Sequence, residues 1–66
     1  MKLKELLQKK CGFYKAFFPD GTSTDAYGEE FERKAIEFAD HEAVIEHEDD
    51  VDEEGVDYGT NYLYVD

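Results

Sequence analysis

The stretch Glu42-Ala43-Val44-Ile45-Glu46-His47-Glu48 decides the fold. Upstream of it, Tyr27, Phe31, Ala35 and Phe38 with Ala39 recur at steps of four, four, three and one, the spacing of an amphipathic helix. From Glu42 the period drops to two. Ala43, Ile45 and His47 fall on one side of an extended chain, and Glu42, Glu46 and Glu48 on the other. One face is thereby suited to burial and the other becomes a row of carboxylates, with Val44 interrupting the alternation through a bulge or a second contact surface. Asp49-Asp50-Val51-Asp52-Glu53-Glu54-Gly55 is too charged to pack and reads as an exposed, mobile acidic loop over residues 49–55. Tyr62-Leu63-Tyr64-Val65 then alternates again as a strand. Residues 42–48 and 62–65, joined through that loop, form the natural antiparallel pair, and either is also able to pair with residues 13–18.

Working outward, Leu3, Leu6 and Leu7 stand at helical spacing among lysines, and Gly12 suits a left-handed cap, so residues 2–11 read as a short helix with Lys9 and Lys10 at its C-terminus. Cys11 lies on the face of Leu7 and reads as a small packed hydrophobe. Phe13-Tyr14-Lys15-Ala16-Phe17-Phe18 is an aromatic strand closed by the turn Pro19-Asp20-Gly21-Thr22. Thr24 or Asp25 is placed to cap a helix over residues 25–39. Gly28 weakens its first turn by about 1 kcal/mol relative to alanine, which lets the start slip to Glu29. Glu29 with Arg33 and Glu30 with Lys34 pair along its outer face, while Asp25, Glu32, Glu37 and Asp40 lack a local partner. The expected fold class is α+β, a single domain over residues 1–66. A small antiparallel sheet is packed with one or two helices in the order helix-strand-helix-strand-strand, with Phe31, Phe38, Ile45, Leu63 and the 13–18 segment chiefly structural.

Charge is distributed unevenly. The chain has a net charge of -11, yet residues 1–18 carry five lysines against Glu5, and residues 19–66 carry Arg33 and Lys34 against seventeen carboxylates. Ten of the acids lie between residues 40 and 57, where there is no lysine or arginine. Concentrating like charge opposes folding while steering cationic partners toward the surface. A domain of this size buries only about 60% of its unfolded surface, so its core is thin and the cost of that repulsion is felt. Ten aromatics and 41% hydrophobic residues nonetheless exceed what a disordered acidic tail carries. Haloadaptation is a competing account of the acidity, opposed by the clustering of the lysines at one end.

A single cysteine excludes an internal disulfide and fits a reducing compartment. The first ten residues lack the apolar run and cleavage site of a secretory signal, and no stretch approaches the roughly 18 apolar residues of a membrane span. A cytoplasmic protein without a membrane role is expected. No nucleophile elbow, phosphate-binding glycine loop or paired base for Cys11 is present, and abundant carboxylates alone do not make a catalytic pair, so an enzyme is not expected.

The acidic row carries the functional reading. Alternate residues on a strand stand about 6.6 Å apart, and a nucleic-acid strand likewise presents one charge per nucleotide along a regular track. Tyr58, Tyr62 and Tyr64 supply amphipathic anchors beside that field. In its length, its mixed helix and strand pattern and the run Glu46-His47-Glu48-Asp49-Asp50-Val51-Asp52-Glu53-Glu54, the chain resembles the small acidic DNA-mimic proteins of phages and mobile elements, anti-CRISPR and anti-restriction inhibitors among them. The resemblance is one of class, without a shared motif. It implies a compact inhibitor that occludes the nucleic-acid channel of a nuclease, glycosylase, polymerase or repressor.

The expected partner is a basic nucleic-acid-binding protein such as a phage-defence nuclease. The chain itself binds no nucleic acid directly on this reading; the four lysines Lys2, Lys4, Lys9 and Lys10 of the first helix instead moderate its own field. Candidate partner-binding residues are Glu42, Glu46, Glu48, Asp49, Asp50, Asp52, Glu53, Glu54, Tyr58, Tyr62 and Tyr64. The alternative is a small adaptor or homodimeric regulatory domain that binds through its aromatic face, the acids serving solubility.

No cofactor and no metal is expected. Asp50 to Gly55 approximates the opening of an EF-hand loop, but Asn61 stands where a bidentate glutamate belongs and the flanks read as strands. His41 and His47 are six residues apart and match no compact zinc pattern, so both read as structural histidines whose neighbouring carboxylates favour the protonated form.

Overall fold

The computed structural model describes residues 1–9 and 12–66. Its elements are α1 (Leu3–Gln8), β1 (Lys15–Phe17), β2 (Ser23–Asp25), α2 (Glu29–Glu37), β3 (Ala43–Glu48) and β4 (Thr60–Val65). The class is α+β, as the change of period at Glu42 predicts. The expected order gains one strand, β2, and the sheet is mixed: its order is β2-β1-β4-β3, with β1 parallel to β4 and both outer pairs antiparallel. The reason lies in the turn at Pro19–Thr22. Phe18 N–H donates to Thr22 O, folding Ser23–Asp25 back on β1 and drawing into the sheet the residues expected to cap a helix. Asp20 Oδ1 accepts from the Thr22 N–H and hydroxyl and Asp20 also pairs with Lys34; the Lys34 ammonium, ahead of the Thr22 donors, lowers its pKa to about 2.

One face of the sheet is buried. Ala16, Leu63, Ala43 and Val65 lie side by side in register, and Leu3 of α1 with Phe31 and Phe38 at α2 covers them. Phe18 packs between Phe31 and Phe38 at ring distances of 6.5 and 5.6 Å. Helix α2 starts at Glu29 behind Gly28, whose φ of 109° is open to glycine, so Tyr27 falls outside the helix and is exposed. The leucines of α1 do meet the core, Leu3 wholly and Leu6 and Leu7 in part. Its Lys4 reaches Asp40 at 2.8 Å, a long-range pair that the local i, i+4 rule does not reveal. The helix ends at Gln8, and the packing expected of Cys11 and the role of Lys10 lie outside the described residues. Among the described residues no helix is long and apolar enough to cross a membrane.

Leu63 is fully buried on β4, the strand that joins the β1–β2 half of the sheet to β3. Leu63→Ala is expected to cost about 2–5 kcal/mol, much of the roughly 3–10 kcal/mol available to a chain of this size, read as a lower urea midpoint.

Candidate functional site

The β3–β4 pairing continues past the strand ends. Ala43 pairs with Val65 and each following step keeps the register to Glu48 with Thr60; the bridge of Val51 with Asp57 belongs to the same register. Tyr58 N–H donates to Asp50 O at 2.9 Å and Asp52 N–H to Val56 O at 3.0 Å. The expected mobile loop is therefore the far half of one hairpin. Its tip is a three-residue turn, Glu53-Glu54-Gly55, in which Gly55 N–H donates to Asp52 O and Gly55 takes a φ of 84°. Asp52 Oδ1 accepts from the Glu54 and Val56 N–H groups, both at 2.9 Å, so its carboxylate shapes the turn. Strands flank this segment, and the helix-loop-helix context of an EF-hand is not what surrounds it.

Because strand side chains alternate, the common register sorts the hairpin into two faces. On the face away from the helices, Val44, Glu46 and Glu48 stand beside Tyr64, Tyr62 and Thr60, and the register continues to Asp50 beside Tyr58. Phe17 of β1 joins them, stacked on Tyr64 at 5.1 Å and tilted against Tyr62 at 6.0 Å, and Tyr14 meets Tyr62 edge-on at 6.4 Å. Val44 fits this face without a bulge. A column of carboxylates on the edge strand β3 thus runs beside a column of tyrosines. Glu48, Asp50, Tyr58, Thr60 and Tyr62 are among the walls of a shallow hollow of about 310 Å³ between them.

The other predicted site residues are placed differently. Glu42 lies at the far end of the hairpin and binds the N-terminal ammonium at 2.7 Å, which lowers its pKa. Asp49 turns to the opposite face, its Oδ1 3.3 Å from His47 Nε2. Glu53 and Glu54 occupy the tip.

On that opposite face, beyond the helices, His47 has a set of partners absent from the expected site. Its Nδ1 lies 2.7 Å from Asn61 Oδ1 and its Nε2 2.7 Å from Asp57 Oδ2. The ring crosses the position of Gly59, where an added Cβ would come within 2.7 Å of both His47 Nε2 and Asp57 Oδ1 and would also collide with Glu48 O. Asp57 Oδ1 accepts from the N–H groups of Gly59 at 2.7 Å and Asp50 at 3.3 Å. Hydrogen bonding to Asp57, then to Asn61, raises the pKa of His47; hydrogen bonding to His47, then to the two N–H groups, lowers that of Asp57. For His47, the neighbouring carboxylate expected to favour the protonated form is Asp57. His41 lies elsewhere, its Nδ1 2.8 Å from Asp66 O and its ring edge-on to Phe38.

Protein-family models, curated proteins and solved structures were compared with this chain, and nothing among them matches it.

His47 and Asp57 set opposite limits on pH stability. A raised histidine pKa adds stability that is complete below the ordinary value of 6.5 and disappears as pH rises through the folded-state value. A depressed aspartate pKa adds stability present above 3.8 that is lost as pH falls through the folded-state value. The melting temperature of the native chain is expected to be highest between these limits, relative to His47→Gln, with the difference shrinking on either side. Gly59→Ala is expected to cost about 1–3 kcal/mol through overpacking and to return His47 toward its ordinary titration, read by thermal melts and by NMR titration of the imidazole.

Proposed function

We propose that this chain is a non-enzymatic binding protein whose hairpin imitates the charge of a nucleic-acid strand and occupies the basic groove of a nucleic-acid-binding protein. The observation that carries this reading is the shared face of Glu46, Glu48 and Asp50 with Tyr62, Tyr64 and, by continuation of the register, Tyr58. Carboxylates two residues apart on a strand stand roughly 6.6–6.8 Å from one another. The ladder fixes the backbone that carries them, so they meet lysines and arginines without the backbone-ordering cost a flexible acidic tail would incur.

The pairing of acids with aromatic rings also favours one kind of cation. An arginine guanidinium donates a planar fork to a carboxylate and stacks on a ring, whereas an ammonium is a hydrated point charge. The hollow between Glu48, Asp50, Tyr58 and Tyr62 offers both contacts together. Such a groove ordinarily grips phosphates, which makes inhibitors of the DNA-mimic class, directed at a defence nuclease or a similar protein, the functional group this chain resembles.

A second reading rests on Phe17, Tyr62 and Tyr64, whose contiguous rings on the same face suit an aromatic protein interface or a homodimer. Salt distinguishes the two, since ion pairing of exposed charges is screened and apolar contact is not.

The test uses immobilised chain and host lysate at low ionic strength. Retained proteins are expected to elute with duplex DNA or RNA and with rising salt, and a Glu46→Gln, Glu48→Gln, Asp50→Asn variant is expected to retain them at least about tenfold less well while keeping the native circular dichroism spectrum. Retention that ignores nucleic acid, salt and the triple variant, but fails in Tyr62→Ala, sinks the charge-mimic reading in favour of the aromatic one.

A further inference from the structure

The back face of the hairpin arm poses a proton-counting problem. Asn61 Nδ2 donates to the carbonyl of Gly12 at 3.1 Å. A carbonyl oxygen only accepts, so the amide is oriented from outside the cluster, and its Oδ1 is the atom turned to His47. His47 Nδ1 must then carry a hydrogen. Its Nε2 faces Asp57 Oδ2 at 2.7 Å and Asp49 Oδ1 at 3.3 Å, and in a neutral ring that nitrogen presents a lone pair to two carboxylates. Three acceptor atoms converging on one point require a cation between them. A proton on Nε2 meets the requirement, and so does a metal ion.

We propose that His47 Nε2, Asp49 Oδ1 and Asp57 Oδ2 form a binding site for a borderline divalent cation, of which zinc is the type. The support around each ligand is what such a site needs. A metal-bound histidine ordinarily donates its other ring N–H to an oxygen, here Asn61 Oδ1, and a metal-bound carboxylate is itself hydrogen-bonded, here through Asp57 Oδ1 to the Gly59 and Asp50 N–H groups. An imidazole with two carboxylates suits zinc better than calcium or magnesium, which prefer oxygen alone. Ligand atoms about 2.0–2.1 Å from a tetrahedral ion stand roughly 3.3 Å apart. Asp49 already has that separation from Nε2, and Asp57 reaches it by withdrawing roughly 0.6 Å. All three ligand atoms lie within 4.8 Å of one another. The side chains are partly exposed, leaving a fourth position open to water.

In the reaction at this site zinc displaces the Nε2 proton to solvent, and the ligand set is otherwise unchanged. Among the described residues, the titratable groups facing His47 are Asp49 and Asp57 from the hairpin itself, with Asn61 and the Gly12 carbonyl neutral. The site lies on the opposite face from the carboxylate and tyrosine columns and shares one ligand, Asp49, with the walls of the hollow; zinc uptake is read on the chain without any partner, so its failure and that of the proposed function are distinguishable.

The probe is zinc alone, titrated into the full chain in chelator-free buffer above the histidine pKa and followed by the imidazole ¹⁵N shifts and by calorimetry. One ion per chain is expected, with His47 Nε2 taking the shift of a metal-bound nitrogen while Nδ1 keeps its hydrogen. Asp57→Asn and Asp49→Asn are each expected to weaken binding at least about tenfold, and Asn61→Ala by about tenfold. A Glu53→Gln, Glu54→Gln variant should bind as the native chain does. The proposal is overturned if saturating zinc leaves Nε2 protonated, if His41 responds in place of His47, or if the affinity ignores both aspartate changes. If those variants fail to fold, the shifts of the native chain decide alone.

Discussion

The pairing of β3 with β4 in one register, from Ala43 with Val65 to the bridge of Val51 with Asp57, is the constraint on which the rest depends. A slip of one residue would exchange the two faces of the hairpin. If β3 slipped against β4, Ile45 would turn to solvent and Glu46 would turn toward the core. The apolar set at the proximal end resists that slip, and the charged distal half inherits its order from it. Charge concentrated against its own repulsion is tolerated because the residues that carry it continue strands that the core already holds.

The distal arm also has local fastenings of its own. Asp52 accepts two backbone N–H groups in the turn, Asp57 accepts two more beside Gly59, and His47 ties Asp57 to Asn61. Acidic side chains that look only repulsive in composition thus take up backbone donors that a naked hairpin would leave to water. His47, its pKa raised chiefly by Asp57, is the group that holds a proton most readily among carboxylates that have no lysine or arginine nearby in the sequence.

Much of this architecture is legible in the chain, and the parts that are not share a cause. The period of two at Ala43–His47 and the helical steps through Phe31, Ala35 and Phe38 are local patterns that burial enforces, and they lead to β3, α2 and the α+β class. Strand β2 has no such pattern: Ser23, Thr24 and Asp25 offer one buried side chain, and the strand exists because the preceding turn delivers it to β1. The parallel pairing of β1 with β4 joins residues more than forty apart, which no window of sequence contains. The arm was hidden by its own charge, although Asp52 with Gly55 is a turn signal and Glu46, Glu48, Asp50 and Asp52 keep the strand period. For the candidate site, the carboxylate column at Glu46, Glu48 and Asp50 was readable. The diversion of Asp49 to His47, of Asp52 to the turn and of Glu42 to the N-terminus depends on neighbours from elsewhere in the chain.

The position of β4 bears on how the chain comes into being. It follows every other element in chain order, yet it lies inside the sheet, flanked by β1 on one side and β3 on the other. A nascent polypeptide emerging from the ribosome therefore makes two helices, a short hairpin and a lone acidic strand before it makes the piece that unites them. Until then its phenylalanines have no complete floor to rest on, and cooperative folding waits for the last strand to be synthesised.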